Sequence, residues 1–134
     1  MISITKEFTF DAAHRLYRKD LSPEQNQKIF GKCCKIHGHT YLLRITVSGS
    51  IDESGMIIHF SQLKDIVREL VIDRYDHTML NELPEYQITP PTAEIMAGHI
   101  FTILDKRLES QKIALCAVVL YETPTSWATV TANA

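Results

Sequence analysis

The chain has 134 residues, of which 45% are hydrophobic and 22% charged, with a formal net charge of −2. That composition suits one compact domain over residues 1–134 and contains no repeat or low-complexity tract. The near-neutral balance argues against bulk electrostatic binding to nucleic acid or to an anionic membrane, while leaving room for a local basic pocket that takes a small phosphorylated molecule. The three cysteines are Cys33, Cys34 and Cys116. An odd count with two adjacent does not make a disulfide framework. There is no charged-then-apolar leader and no run of about 18 apolar residues. The expected setting is a reducing cytoplasm, where a thiol is free to act as nucleophile, base or ligand.

The first residues alternate. Ile2, Ile4, Phe8, Phe10, Ala12 and His14 share one face of a predicted strand, and Thr5, Glu7, Thr9 and Asp11 the other. The stretch from Tyr17 to Lys35 is polar, with Pro23 suggesting a loop that holds at most one short helical turn. A second strand follows, with His39, Tyr41, Leu43, Ile45 and Val47 on one face and its end at Gly49. Residues Ser50 to Gly55 read as a turn into a short strand, Met56 to His59. Ser61 is the expected cap of a helix to about Arg74, with Leu63, Ile66, Val67, Leu70 and Val71 at helical spacing. Thr92, after Pro90 and Pro91, is the expected cap of a second helix, with Glu94 in its first turn. Ile113 to Tyr121 is apolar on both faces and predicts a strand covered on both sides. Ser126 to Ala132 is a final strand. The order ββααββ predicts an α+β fold, an antiparallel four-stranded sheet with two helices on one face.

His37 and His39 flank one residue, so on a strand both rings lie on the same face, and Gly38 leaves room opposite. If the first two strands pair antiparallel, His14 meets them at one rim. Three imidazoles with one open position are the donor set of a catalytic zinc site. The rival is a closed structural site completed by Cys33 or Cys34. His99 on the helix stripe reads as a packed histidine, and His59 as the end of the short strand. The dipeptide Asp76-His77 has the composition of a proton-transfer pair. Cys33, four residues before His37, is a candidate base, since a thiol near a metal has a lowered pKa. Glu122 ends an apolar strand and needs a partner, either a rim cation or a guanidine-like ligand edge.

Six segments then carry a resemblance: FDAAHRL (Phe10 to Leu16), FGKC (Phe30 to Cys33), HGH (His37 to His39), YDHTMLNE (Tyr75 to Glu82), PTAE (Pro91 to Glu94) and ETPTSWA (Glu122 to Ala128). In that order, over nearly the whole chain, the set resembles the 6-pyruvoyltetrahydropterin synthase and 6-carboxytetrahydropterin synthase family. The resemblance implies the tunnelling fold (T-fold), with trimers closing a barrel, two trimers stacking into a homohexamer, and active sites between subunits. It implies zinc on His14, His37 and His39, a catalytic Cys33 with Asp76 and His77 as its partners, Glu122 as anchor of the pterin ring, and Thr92 in the pterin pocket. FGKC and LSPEQN resemble the animal pyruvoyl enzymes. ETPTSWA and the short Cys33–His37 spacing resemble the bacterial carboxy enzyme of queuosine biosynthesis, a zinc-dependent lyase on 7,8-dihydroneopterin triphosphate, and the latter is favoured. His59 stands where bacterial relatives usually carry aspartate. Lys32, Lys35 and Arg15 are the candidates for reaching phosphate. A non-catalytic pterin-binding zinc module, or an interaction domain using the Ile113 to Tyr121 strand, are the alternatives from other classes.

Overall fold

The structure is a computed structural model and describes residues 1–133. β1 (Ser3–His14) and β2 (His37–Ser48) pair antiparallel along their full length, from Ser3 opposite Ser48 to His14 opposite His37. Between them lies α1 (Pro23–Phe30), followed by a 3₁₀ turn, Gly31–Cys34. The expected loop is therefore a two-turn helix. Ser22 and Gln25 form a reciprocal capping box, with Pro23 in the first turn.

α2 (Phe60–Val67) runs through a π-helical turn, Arg68–Ile72, into the short α3 (Asp73–Tyr75). Its N-cap is His59, whose Nδ1 accepts from the Ser61 backbone N–H at 3.1 Å. This corrects two expectations. Ser61 is not the cap, and residues 56–59 form no strand. The imidazole satisfies an orphan donor of the first turn instead.

α3 leads into β3 (Thr78–Met79), two residues parallel to β1 at Ala12 and Ala13. After two 3₁₀ turns, α4 (Ala93–Glu109) starts at the cap Thr92, which accepts from Ile95 N–H at 3.1 Å. β4 (Ala114–Thr123) and β5 (Ser126–Thr131) form the last hairpin. The sheet has five strands, in the order β3-β1-β2-β4-β5. It is mixed, not the four-stranded antiparallel sheet expected, because a parallel contact of two residues carries no hydrophobic periodicity to read.

The inner face of the sheet packs on α2 and α4. Phe8, Phe10, Tyr41, Leu43, Ile45 and Val47 meet Leu63, Ile66, Val67, Met96, Ile100 and Leu104 in one core. β4 is apolar on both faces for a specific reason. The pairing slips between Thr46 and Val47, so that Thr46 opposes Ala117 and Val47 opposes Leu115. Cys116 is the extra residue of that bulge, and the parity reverses across it. Leu115, Val118 and Leu120 all face the core as a result, while Ala117 and Val119 stay half-exposed. Within the chain β4 is covered on one side only. β1 has no strand partner on its outer edge from Ser3 to Asp11 among the described residues.

Leu43 is fully buried at the centre of this core. Leu43→Ala should lower unfolding free energy by about 3 kcal/mol in urea denaturation, whereas Thr129→Ala on β5, outside that core, should change it by no more than about 0.5 kcal/mol.

Candidate metal centre and active-site cavity

The antiparallel register puts His37 directly across from His14, and His39 across from Ala12. Side-chain parity turns all three rings to the inner face, one step beyond the aromatic end of the core, where Phe10 stacks on Tyr41 at 4.9 Å. The ring centroids are 4.7 Å apart for His14–His37, 5.1 Å for His14–His39 and 5.0 Å for His37–His39. One nitrogen from each lies within 4.8 Å of the other two.

Backbone carbonyls fix which nitrogens face inward. His14 Nδ1 is 2.8 Å from Pro91 O, and His37 Nδ1 is 2.7 Å from Lys35 O. A carbonyl can only accept, so each Nδ1 carries the proton and each Nε2 presents a lone pair. Metal-ligating histidines are held in this way. His14 Nε2 and His39 Nε2 are buried with no hydrogen-bond partner. Two orphaned ring nitrogens converging on one point would be costly in a protein that holds nothing there. The donor set fits a borderline divalent ion such as zinc.

Burial pushes the His14 imidazole down to about 4, with neighbouring His37 and His39 adding to the effect. His39 is likewise lowered, first by burial, with Glu122 opposing. Both rings are therefore neutral, the form that binds metal, at neutral pH.

A cavity of about 500 Å³ opens beside the cradle, lined by Leu16, Lys32, Cys33, His37, His39, Glu122 and Thr123. Cys33 is carried on the 3₁₀ turn, and its carbonyl accepts from Leu16 N–H at 2.8 Å. Cys34 turns aside and donates its thiol to Gln27 Oε1 at 3.1 Å. Neither sulfur joins the three-histidine group. Glu122 shares the inner face of Val118 and Leu120. A pairing irregularity between Tyr121 and Thr123 falls at this residue, a common device for aiming a side chain.

Asp76 and His77 do not line this cavity. They gather at the outer edge of β1 around Asp11, whose side chain points to the face opposite His14. Asp76 accepts from Asp11 N–H at 2.9 Å, and its other oxygen is 2.9 Å from His77 Nδ1. The Asp11 N–H and the His77 side chain hold the Asp76 carboxyl below its ordinary range. His77 has φ 59, a conformation uncommon outside glycine, and its N–H donates to Asp11 O at 2.6 Å. A cleft on that face is lined by Asp11, Ala13, Gly38, Thr40 and His77. Of the candidate phosphate residues, Lys32 lines the cavity of the cradle. Arg15 instead stacks on Tyr17 at 3.9 Å, and Lys35 is exposed. Thr92 is occupied as the α4 cap.

Sequence patterns did not reveal Pro91 O and Lys35 O, because a carbonyl has no residue signature. They also missed Asn81, which clamps the residue after His14 by accepting from Arg15 N–H and donating to Arg15 O, both at 2.9 Å.

Three histidines at the ends of two neighbouring strands, with a cavity beside them, give this α+β domain a group that could hold one metal ion. The sequence is more specific still. Residues 3–133 match the family model described as 6-pyruvoyl tetrahydropterin synthase, and the chain belongs to that family of pterin-processing enzymes. The 6-pyruvoyl tetrahydrobiopterin synthase of Dictyostelium discoideum is 38% identical, with 91% of this chain and 90% of that one aligned. The 6-carboxy-5,6,7,8-tetrahydropterin synthase of Haemophilus influenzae is 35% identical over 95% of this chain and 96% of its own. The solved structure of 6-pyruvoyl tetrahydropterin synthase from Caenorhabditis elegans superposes with a TM-score of 0.89 at 30% identity, covering 98% of this chain and 96% of that one. The fold is the tunnelling fold.

The histidine cradle predicts a pH dependence for chelator-treated protein. An unfolded histidine titrates near 6.5 and native His14 near 4, so between these values the unfolded chain holds the extra proton. The stability is present above pH 6.5 and is lost as pH falls toward 4. Urea midpoints should register a loss of about 2 kcal/mol between about pH 7.5 and about pH 5. A flat profile there would contradict the buried neutral assignment.

Proposed function

We propose that this chain is a zinc-dependent 6-carboxytetrahydropterin synthase. In this reading it converts 7,8-dihydroneopterin triphosphate and water to 6-carboxytetrahydropterin, acetaldehyde and triphosphate, as in queuosine biosynthesis. The observation that carries the proposal is the pair of buried, unpartnered Nε2 atoms on His14 and His39 beside a cavity containing a thiol and a carboxylate. Support for the carboxy product comes from the short Cys33–His37 spacing and the ETPTSWA segment, together with the similarity to the Haemophilus influenzae enzyme. The second reading, a 6-pyruvoyl product, is favoured by the 38% identity to the Dictyostelium discoideum enzyme.

His14, His37 and His39 would hold the zinc, which when bound supplies Lewis acidity to the side-chain oxygens of the substrate. Cys33, as thiolate, would take a proton from the substrate side chain. Glu122 would accept from the amino group and ring N–H of the pterin, a guanidine-like edge suited to a two-point carboxylate contact. Thr92 caps α4 just before Ala93 and Glu94, which share a second cleft with Glu122, and would help to line the ring pocket. Lys32 would offset the phosphate charge. Triphosphate then departs and the side chain is cleaved.

Asp76 and His77 would exchange protons with substrate in the cavity of a neighbouring subunit. This follows if copies associate through the free β1 edge and the half-exposed sheet face, in trimers that stack into a hexamer. Their position around Asp11, away from their own chain's cavity, favours the arrangement. Three free cysteines and the absence, among the described residues, of a helix able to cross a membrane are compatible with a cytoplasmic setting.

Incubation with 7,8-dihydroneopterin triphosphate and mass identification of the pterin tests the product. Acetaldehyde with a 6-carboxy product is expected, and a 6-pyruvoyl product would favour the second reading. Cys33→Ala should retain one zinc per chain while losing turnover by about 100-fold or more. Undiminished turnover would remove Cys33 from the role of base.

A further inference from the structure

Glu122 stands nearer the histidine cradle than a ring anchor requires. Its Oε1 is 3.5 Å from His14 Nε2 and 3.7 Å from His39 Nε2, the two nitrogens that lack partners. In a tetrahedral site with bonds of about 2.0–2.1 Å, neighbouring donor atoms lie about 3.4 Å apart. The carboxylate is therefore already at close to ligand-to-ligand distance from two of the three imidazoles. It is also the one acidic side chain lining the cavity, beside Lys32. Three neutral imidazoles leave a divalent charge uncompensated, and a carboxylate is the group that offsets it.

We propose that Glu122 is an exchangeable fourth metal ligand. In the resting protein its carboxylate closes the coordination sphere. The guanidine-like edge of an arriving pterin offers it a two-point hydrogen-bonded pairing and draws it away. The coordination position opens for the substrate's side-chain oxygens only once the ring is seated. Glu122 is 27% exposed and sits at a pairing irregularity of β4, so its side chain has room to swing. The inference rests on the metal-and-pterin reading above and adds to it a coupling between ring recognition and metal availability.

Cobalt(II) loaded into chelator-stripped protein tests this without turnover, because its visible bands respond to the ligand set. The ligand is 6-methylpterin, which has the ring edge but no side-chain hydroxyls, with its binding followed separately by pterin fluorescence. Wild-type cobalt protein should change its visible bands as 6-methylpterin binds. Glu122→Gln should show different resting bands, no change with saturating 6-methylpterin, and at least a 10-fold rise in the cobalt dissociation constant. The proposal is overturned if 6-methylpterin binds the wild-type cobalt protein and its bands stay fixed, or if the bands of Glu122→Gln superimpose on those of wild type. Should the variant fail to fold, the wild-type titration decides. Failure of the underlying reading looks different, since wild type would then bind neither cobalt nor 6-methylpterin.

Discussion

The register between β1 and β2 is the constraint on which the site depends. Side chains alternate with a period of two, so a slip of one residue would turn His14 away from His37 and His39 and turn Phe8 and Phe10 out of the core. The same alternation that buries Phe10 and Tyr41 therefore aims the imidazoles. The core holds the register through Leu43, Ile45 and Val47, all fully buried. The cradle is an extension of that core, with lone pairs where the next apolar side chains would stand. Burying them without partners is unfavourable in isolation, and a bound cation converts that deficit into affinity.

Around the cradle, ordinary backbone features supply orientation. The turn before α4 offers Pro91 O to His14, and the turn before β2 offers Lys35 O to His37. The 3₁₀ turn carries Cys33 to the cavity while Cys34 is spent on Gln27. The sheet also separates two groups of chemistry. Metal donors, thiol and Glu122 lie on one side, with Asp76, His77 and Asp11 gathered on the other. Under the proposed function, a single copy thus carries both proton-transfer groups without joining them. The open β1 edge is a surface for another chain, and the proposed association there would bring the two groups together.

Much of this was legible in the sequence, and the reasons differ from element to element. Strong alternation in β1 and β2 exposed both strands and the shared face of the three histidines, because one face is buried and the other wet. Glu122 was legible as a carboxylate ending an apolar run. Other features had no periodic signal. β3 is two residues long, the bulge at Cys116 disguises a one-sided strand as a two-sided one, and His59 acts as a cap, a role usually filled by Ser, Thr, Asp or Asn. Asp76 and His77 were visible as a pair, but their side of the sheet depends on how α3 reaches the β1 edge. That is a tertiary fact, outside the reach of local spacing.

The central claim is that the strand register builds a three-histidine metal site without a cysteine ligand. X-ray absorption at the metal edge of zinc-loaded protein tests it most directly. The account predicts three imidazole nitrogens and one oxygen at about 2.0–2.1 Å, with no sulfur shell. A sulfur neighbour at about 2.3 Å would contradict it, and would make the site a closed structural one.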